Sequence, residues 1–412
     1  MIVIMLDRAM GTYIPFIMNE RPELAEKFSG FVYYPNTISF GGNTVLGAPA
    51  LFGGYEYSTE AIDDRDDERL ADKHDEVLKI MPVLFSENGY NTTVYDPPLA
   101  GYDWVGDPSI YNDYPNIDAY NLEGQFIDAD IIPVIEKYRR RAFFMYSIHK
   151  SVPLICQMAV YDEGRYHYPD KLTYPDERFI NSYSVLENME ELTQIDESDR
   201  DNFMMMCNNI THWGIELQFP DYEMSMNTNN RGLDNGYRTD AGGRTIKIDG
   251  YYHYHAYMAA MIKLGKYFDY LRENGVYDNT RVVITSDHGY NLGDFEDLIL
   301  EDGTDLELVI PLLMYKDFDS DTFSVSDEFM TNADTSILAM GGLIDNPINP
   351  FTGNKIDDKE KKSHDQEVLC LPGFELYKDR NVFYEPGQPW YSVHDNVYDR
   401  SNWTRIDPER HN

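Results

Sequence analysis

Residues 279–295 read NTRVVITSDHGYNLGDF, and this stretch joins a buried strand to a polar group at its end. Residues 281–285 are β-branched and apolar enough for a strand that is covered on both faces. Asp287, His288 and Gly289 follow the strand directly. Open α/β sheets bind ligands outside the carboxyl ends of their strands, so an adjacent carboxylate and imidazole there indicate half of a divalent-metal site. The plainer alternative is a turn at the end of a strand, with a histidine on the surface.

Two other apolar runs end in polar residues in the same way. Residues 2–6 are continuously apolar and stop at Asp7, and residues 202–210 lead into His212 and Trp213. Parallel strands bring their carboxyl ends to one edge of a sheet, so we expect these side chains to meet. The pattern predicts an α/β fold with a mostly parallel central sheet and helices on both faces.

A second unusual stretch is residues 37–54, TISFGGNTVLGAPALFGG. Gly41 and Gly42 allow the backbone to turn closely around Asn43 and Thr44. The residues that follow can form a helix whose free N–H groups point at Thr44, which is an arrangement that binds anions. The alternative is that Thr44 caps this helix and has only a structural role.

Composition limits the function classes. The chain has 412 residues and a formal net charge of −38, which argues against nucleic-acid binding, since phosphate backbones would be repelled. An anionic substrate would need a metal ion or a few well-placed cations. Three cysteines without a CxxC spacing suggest neither a disulfide framework nor a cysteine zinc site. The first residues already have the pattern of a buried strand, so we expect a catalytic domain cut from a longer membrane protein.

The remaining periodicities predict further elements and two parts of the chain. A small β subdomain is expected after residue 346, giving a catalytic part at residues 1–345 and a C-terminal part at residues 346–412. His253 and His255 are expected to be structural or solvent-facing. The acidic residues from 294 to 302 are expected on a solvated face, and the Asn- and Gly-rich residues 224–243 in a mobile loop. Helices are predicted at residues 22–28, 68–88, 129–141, 143–160, 254–273 and 334–343, and further strands at 31–34, 91–95 and 308–315.

Together these motifs resemble the alkaline phosphatase and sulfatase superfamily, and within it the lipoteichoic acid synthases and phosphoethanolamine transferases. The likeness covers roughly residues 1–345. By this resemblance, Asp7 is the first acidic metal ligand and Thr44 is the metal-bound nucleophile. Asp287 and His288 correspond to the closing pair of metal ligands, and His212, in ITHWG, corresponds to the histidine that binds the substrate phosphate. The resemblance implies an alkaline-phosphatase-like fold and one divalent ion held by Asp7, Thr44, Asp287 and His288, either Mn²⁺ or Zn²⁺, with Mg²⁺ as a further possibility.

Three departures refine the resemblance. In lipoteichoic acid synthases a similarly placed Trp is followed two residues later by the Arg that holds glycerol phosphate, whereas Trp104 is followed by Val105 and Gly106. Phosphoethanolamine transferases carry a further His about a dozen residues after the Asp-His-Gly, where this chain is acidic, so one ion is expected rather than two. The C/S-x-P-x-R motif of sulfatases does not occur, and CLPGF at Cys370 lacks the Arg, which argues against sulfate-ester hydrolysis.

The resemblance implies an enzyme that moves a phospho-head group, of the phosphoglycerol or phosphoethanolamine type, through a phospho-Thr44 intermediate. The expected partners are a lipid-linked phosphate donor and an envelope glycan or lipid acceptor, with His212, Trp213, Trp104 and Asn43 binding substrate. The expected location is the extracytoplasmic face of a bacterial membrane, reached through segments that are not part of this sequence. The alternatives are a phosphodiesterase or phosphatase that uses water, and a catalytically silent domain that binds envelope lipid.

Overall fold

A computed structural model of the chain describes residues 1–162, 166, 177–193, 195, 200–225 and 228–406. Its main element is a sheet of eight strands within these residues. Their spatial order is β11 (Ser324–Val325), β2 (Phe31–Tyr33), β10 (Leu313–Lys316), β9 (Val282–Thr285), β1 (Ile2–Leu6), β6 (Asn202–Asn208), β4 (Asn91–Tyr95) and β5 (Ile117–Tyr120). Strands β9, β1, β6, β4 and β5 are mutually parallel, while β10 is antiparallel to both of its neighbours. The predicted mostly parallel sheet is confirmed.

Strand β1 lies at the centre of the sheet, and its side chains enter two separate cores. Val3 and Met5 pack on one face of the sheet, and Ile4 and Leu6 pack on the other. Each residue of β1 is buried, which explains why its sequence is a continuous apolar run rather than an alternating one. Helices therefore cover both faces, as the sequence predicts.

The helices on the Ile4 face include α1 (Ile14–Glu20), α2 (Glu23–Lys27), α8 (Glu177–Glu187), α9 (Met189–Leu192) and α10 (Tyr251–Glu273). The Val3 face is covered by α3 (Thr44–Gly53), α4 (Thr59–Asp64), α5 (Leu70–Glu87) and α11 (Asp334–Met340). Helices α6 (Ile132–Ser151) and α7 (Leu154–Tyr161) form a hairpin. The short helix α12 (Lys359–Ser363) lies in the chain between α11 and the C-terminal strands.

Three short sheets complete the structure. Strands β3 (Thr37–Ile38) and β12 (Met330–Thr331) pair in parallel, and β7 (Tyr237–Thr239) and β8 (Thr245–Lys247) form a hairpin. The C-terminal strands β13 (Gln366–Leu369), β14 (Trp390–Val393) and β15 (Trp403–Ile406) form an antiparallel sheet. Leu369 and Trp390 are buried in the same core as Val3, so this small sheet packs on the main part of the chain. The division into residues 1–345 and 346–412 stays a prediction, and residues 407–412 lie outside the described ones.

The structure corrects several element boundaries. The predicted strand at residues 308–315 is a short 3-10 helix, Leu306–Val309, followed by β10, because Pro311 lacks the N–H that a ladder needs. The predicted helix break at residue 142 lies instead at Pro153, which precedes α7. Residues 224–243 were expected to be a mobile loop, but they include β7, which pairs with β8 just after this range. Residues 226–227 lie outside the description.

One residue of the acidic run is also corrected. Asp294 was expected on a solvated face but is buried, because its carboxylate accepts hydrogen bonds from Tyr13 Oη and from the backbone N–H of Asp249. These bonds attach the loop after β9 to Tyr13, just before α1, and to the segment that leads into α10. By contrast, Glu296, Asp297 and Glu301 are exposed, as the sequence predicts.

Candidate active site

Three neighbouring strands bring Asp7, His212 and the Asp287-His288 pair to one edge of the sheet. The register of β1 pairs Met5 with Thr285 of β9 and Leu6 with Asn208 of β6. Asp7 therefore leaves the sheet beside the Asp287-His288 loop. The Oγ1 atom of Thr211 donates a hydrogen bond to the backbone oxygen of Asp7 at 2.7 Å, which fixes the segment leading to His212 against the end of β1.

Asp7, Asp287 and His288 form a compact buried group. One ligand atom from each lies within 4.8 Å of the other two. His288 Nε2 lies 3.8 Å from Asp7 Oδ1 and 3.6 Å from Asp287 Oδ2. The Thr44 hydroxyl donates to Asp7 Oδ1 at 3.5 Å. The four predicted metal ligands are thus brought together from three elements far apart in sequence.

The polar atoms of this group fit a divalent cation. His288 Nδ1 donates its proton to the backbone oxygen of Gly289 at 2.6 Å, so the lone pair is on Nε2, which faces the carboxylates. Among the described residues, neither His288 Nε2 nor Asp287 Oδ2 has a hydrogen-bond partner, although both atoms are buried. Unpartnered buried acceptors are costly, and a cation would satisfy both. This mixed set of O and N donors suits Mn²⁺ or Zn²⁺.

The electrostatics agree with that assignment. Burial raises the pKa of Asp7 well above its usual value, and the adjacent charge of Asp287 raises it further. Burial also lowers the pKa of His288, so its imidazole is neutral at neutral pH, which is the form that binds metals. A bound cation would compensate the negative charge that now makes ionisation of Asp7 unfavourable.

A second set of residues holds the Asp287 loop against helix α3. The backbone oxygen of Asp287 accepts hydrogen bonds from Ser39 Oγ at 2.5 Å and from Asn332 Nδ2 at 3.1 Å. Asn332 Nδ2 also donates to the backbone oxygen of Gly47 in α3 at 2.8 Å. A Cβ atom on Gly47 would lie only 2.2 Å from the oxygen of Asp287, so the helix and the loop can be this close only because residue 47 is glycine.

Thr44 is the first residue of α3, and Asn43 occupies the N-cap position. The alternative that Thr44 caps this helix is therefore wrong. Asn43 makes no capping bond with its side chain, and its Nδ2 donates instead to the backbone oxygen of Leu371 at 2.9 Å. The free N–H groups and the positive end of the dipole of a ten-residue helix are consequently close to the Thr44 hydroxyl.

A cavity of about 480 Å³ opens onto Thr44 and Asp7. Trp104 lines this cavity with 65% of its surface exposed, and Trp213 and His212 line it as well. The described residues that line it do not include Asn43, whose role in substrate binding stays a prediction, as do the roles of the two tryptophans. The volume is in the range typical of small-molecule sites.

His212 lies in this cavity as a neutral imidazole. Burial and the nearby Arg8 lower its pKa to about 2. Its ring packs on Trp213 at a centroid distance of 4.1 Å, and the Arg178 guanidinium lies 3.6 Å from the centroid of the Trp213 ring. A neutral imidazole can donate one N–H to a phosphoryl oxygen, but it is a poor source of a proton for a leaving group.

The sequence did not single out Arg8, which adds a positive charge to the site. Its backbone N–H donates to Asp287 Oδ1 at 3.1 Å, and its guanidinium lies 4.4 Å from the centroid of the Tyr290 ring. Arg8 adopts a φ of 66°, and its carbonyl accepts from Tyr257 Oη, which stabilises this uncommon backbone conformation. The Nε atom is buried without a hydrogen-bond partner in the described part of the chain. The available signal was a cation directly after the first predicted ligand of a strongly acidic chain.

The two histidines at the start of α10 have different surroundings. His255 is buried and structural, as expected, since Nε2 is 2.8 Å from Asp234 Oδ2 and Nδ1 accepts from the N–H of Leu217. His253 lies beside the site instead, with its ring 4.8 Å from that of Tyr290, and burial and Arg8 lower its pKa to about 4. The helical pattern alone could not show which of the two lies beside the site.

The fold and this buried group of carboxylates and imidazole define an α/β protein with a candidate divalent-metal centre at the carboxyl edge of its sheet. The chain belongs to the sulfatase family, whose sequence model matches residues 1–335. The predicted resemblance to the alkaline phosphatase and sulfatase superfamily is confirmed. A search of curated proteins finds no match.

Solved structures match this chain over nearly its whole length. Ps i-CgsB is 14% identical with a TM-score of 0.55, and the match covers 100% of this chain and 87% of that one. The phosphonate monoester hydrolase SpPMH from Silicibacter pomeroyi is 12% identical with a TM-score of 0.49, covering 98% and 87%. The lipoteichoic acid synthase LtaP from Listeria monocytogenes is 13% identical with a TM-score of 0.48, covering 99% and 86%. At 14% identity the likeness to Ps i-CgsB, with its TM-score of 0.55, establishes the fold alone.

Proposed function

We propose that this member of the sulfatase family is a metal-dependent phosphotransferase that uses Thr44 as its nucleophile. The observation that carries the proposal is the position of the Thr44 hydroxyl. It lies at the N-terminus of α3, within 3.5 Å of Asp7, and it lines the same cavity as His212. A purely structural role for Thr44 would not explain why two buried carboxylates, Asp7 and Asp287, lie beside its hydroxyl.

Asp7, Asp287, His288 and Thr44 would hold the ion. When bound, a divalent cation lowers the pKa of a coordinated hydroxyl and draws charge from a phosphoryl oxygen. The Thr44 proton already points at Asp7 Oδ1, which is therefore the nearest acceptor for it. Ser39 and Asn332 keep the Asp287 loop in place through its backbone oxygen.

The other side of the cavity binds the phosphate group. His212 donates an N–H to one non-bridging oxygen, and the Arg8 guanidinium provides the positive charge that an anion requires in a chain with a net charge of −38. The N–H groups at the start of α3 add to this positive potential. Together these groups orient the phosphorus atom toward Thr44.

The reaction then has two displacements. Thr44 Oγ1 forms a bond to phosphorus while the bond from phosphorus to the departing alkoxide breaks, and the alkoxide takes a proton from water. An acceptor hydroxyl next attacks the phospho-Thr44 ester and loses its proton to solvent, while the Thr44 oxygen leaves phosphorus and takes back the proton held by Asp7. Water in place of the acceptor would give hydrolysis.

For the substrate we propose a phospho-head group of the phosphoglycerol or phosphoethanolamine type, donated by a lipid and accepted by an envelope glycan or lipid. The combination of Thr44, His212 and the Asp-His pair supports this class, and so does the lack of the sulfatase C/S-x-P-x-R motif. The proposed location is the extracytoplasmic side of a bacterial membrane. No described helix is long and apolar enough to cross a bilayer. Attachment to the membrane is proposed through segments outside this sequence.

A hydrolase that releases the phosphate to water is the second candidate. One observation favours it: the mouth of the cavity is open, with Trp104 and Val105 each 65% exposed. An open site does not exclude water from the phospho-Thr44 ester.

The proposal can be tested with the 412-residue chain stripped of metal and then supplied with Mn²⁺, Zn²⁺ or Mg²⁺. The substrates are bis(p-nitrophenyl) phosphate, p-nitrophenyl phosphate and p-nitrophenyl sulfate, each with and without glycerol as an acceptor. We expect metal-dependent release of p-nitrophenol from the phosphates but not from the sulfate. Transfer is distinguished from hydrolysis by the product with glycerol, which is glycerol phosphate from p-nitrophenyl phosphate and its p-nitrophenyl ester from bis(p-nitrophenyl) phosphate.

Thr44→Val should reduce turnover on the order of 10³-fold or more, because it removes the attacking oxygen and keeps the side-chain shape. The matched control is Thr92→Val on β4. The Thr92 hydroxyl is buried and has no hydrogen-bond partner among the described residues, so its removal changes a threonine away from the site. Acid quench during turnover of p-nitrophenyl phosphate should leave one phosphoryl group on the peptide that contains Thr44. Full activity of Thr44→Val, or a phosphoryl group found on His212, would refute the assignment.

A further inference from the structure

The hairpin of α6 and α7, residues 132–161, exposes an unusual amount of apolar surface. Helix α7 has the sequence LICQMAVY, and none of its residues is buried. Leu154 and Ile155 are 82% and 90% exposed, and on α6 Phe143 and Phe144 are 75% and 62% exposed. Scattered apolar residues on a surface are normal, but a helical hairpin with so many of them marks an interaction site.

The same hairpin is basic in a strongly acidic chain. Residues 132–161 contain five Lys or Arg side chains and one Glu, a formal net charge of +4, whereas the whole chain has −38. Four of the five cations, Lys137, Arg139, Arg140 and Lys150, are exposed. Two of these form ion pairs, Arg139 with Glu177 and Arg140 with Glu136. The hairpin still has a local positive charge after these two pairs are counted.

We propose that the hairpin of α6 and α7 is a docking surface for the interface of an anionic lipid membrane. Basic helices with large exposed apolar side chains bind such interfaces by two additive terms, burial of apolar area and attraction to lipid phosphates. The charge contrast selects the occupant, because the rest of this chain is repelled by an anionic bilayer while the hairpin is attracted to it. The hairpin lies in the interface rather than across the bilayer, in keeping with the lack of any described helix that could span it.

The docking surface adjoins the candidate active site. Arg139 of α6 pairs with Glu177, the first residue of α8, and the next residue, Arg178, lines the cavity that contains Thr44. Binding of the hairpin would therefore bring the cavity close to the lipid surface. This inference rests on the proposed function in one respect, since it explains how the cavity reaches a lipid donor. The docking itself requires neither metal nor turnover.

The test is co-sedimentation of the 412-residue chain with vesicles, in the absence of metal and substrate. One set of vesicles contains phosphatidylcholine only, and the other contains about one third phosphatidylglycerol. We expect binding to the anionic vesicles, little binding to the neutral ones, and weaker binding when NaCl is raised from about 0.1 M to about 0.5 M. Equal binding to both vesicle types, or none to either, would overturn the proposal.

The double variant Phe143→Ser with Ile155→Ser should reduce partitioning into anionic vesicles by at least about tenfold, since it removes apolar area from both helices. The matched control is Leu233→Ser with Val325→Ser, two exposed apolar residues outside the hairpin at 56% and 59% exposure. Equal melting temperatures would show that both variants fold. If the chain instead dimerises without lipid and the hairpin variant abolishes dimerisation but not vesicle binding, the surface contacts a second copy and the proposal is wrong.

Because the assay contains no metal and no substrate, its outcome is independent of whether Thr44 is the nucleophile. An inactive protein that binds anionic vesicles through the hairpin would refute the proposed function alone. An active protein that does not bind them would refute the docking surface alone.

Discussion

Gly47→Ala should damage the candidate metal site without replacing any proposed ligand. A Cβ at position 47 would lie 2.2 Å from the backbone oxygen of Asp287, whereas ordinary contact begins at 3.4 Å. The helix and the loop must therefore separate by about 1.2 Å. The atom that is met is a backbone oxygen held by Ser39 and Asn332, so a simple rotamer change cannot relieve the overlap.

The size of the effect follows from this displacement. Overpacking of a tight contact costs about 1 to 3 kcal/mol, and the alanine regains about 0.5 to 1 kcal/mol of helix propensity, so we expect a net loss of about 1 to 2 kcal/mol in the free energy of unfolding. Thr44 lies on the same helix as Gly47, and Asp287 lies on the loop that is displaced. A displacement of about 1 Å between Thr44, the proposed nucleophile, and Asp287, a proposed metal ligand, should lower turnover by about 100-fold.

The assay compares three quantities, namely urea unfolding, affinity for Mn²⁺ by calorimetry, and turnover. The control is Gly265→Ala in α10, another buried helical glycine, where the new Cβ meets the flexible Lys27 side chain, with its Cδ 2.9 Å away. That side chain can move, so Gly265→Ala should be neutral or stabilising and fully active. The reasoning fails if Gly47→Ala keeps its metal affinity and its turnover within about twofold of the parent.

Two further predictions concern charges around the site. Arg8→Gln should lower kcat/KM for anionic phosphates by about 10- to 100-fold, because the cation that pairs with them is lost. The same change should strengthen Mn²⁺ binding, because it removes a positive charge that repels the ion. A fall in both kcat/KM and Mn²⁺ affinity would contradict this role for Arg8. Burial and the nearby Asp305 and Asp294 raise the pKa of Glu307 from 4.5 to about 9. The folded protein thus retains a proton that the unfolded chain releases, so this residue destabilises the fold increasingly as pH rises from about 4.5 to about 9. Glu307→Gln mimics the protonated form, and its melting temperature should exceed that of the parent by about 1 to 3 °C at pH 8 and match it near pH 4.5; an equal shift at both pH values would show that titration is not the cause.

The central sheet could be predicted because strands buried on both faces have a distinctive sequence. Residues 2–6 and 282–285 are continuously apolar and end in an acidic or polar group, and both form strands of the parallel core. The direction of a strand in the sheet could not be predicted, because it depends on the strands with which it pairs in the folded protein. The apolar run around Pro311 looks like one more buried strand, yet its proline divides it, and the second half pairs antiparallel to β9. Nothing local in those residues specifies that orientation.

The site shows the same division between local and tertiary information. Asp7 and the Asp287-His288 pair were predicted because they follow strands whose ends must converge. Arg8, His253 and Asn332 were missed because each reaches the site through a feature that a linear pattern does not contain. For Arg8 this feature is a φ of 66°, which directs the chain back across Asp287 after the strand. For Asn332 it is a side chain that bridges two backbone oxygens from distant segments.

The charges in the site imply that binding of an anion depends on binding of the cation. When ionised, Asp7 and Asp287 contribute two negative charges within a few ångströms of the Thr44 hydroxyl, and Arg8 offsets only one of them. Burial leaves little solvent to screen the remainder, so a phosphate at this position would be repelled. A divalent ion changes the local sum from about −1 to about +1, and only then do Arg8, His212 and the N-terminus of α3 act together on the same anion. The proposed phosphate-binding groups, His212 and the N-terminus of α3, lie next to two acidic residues. This arrangement is consistent if the acidic residues are the ligands of an ion that makes the site cationic.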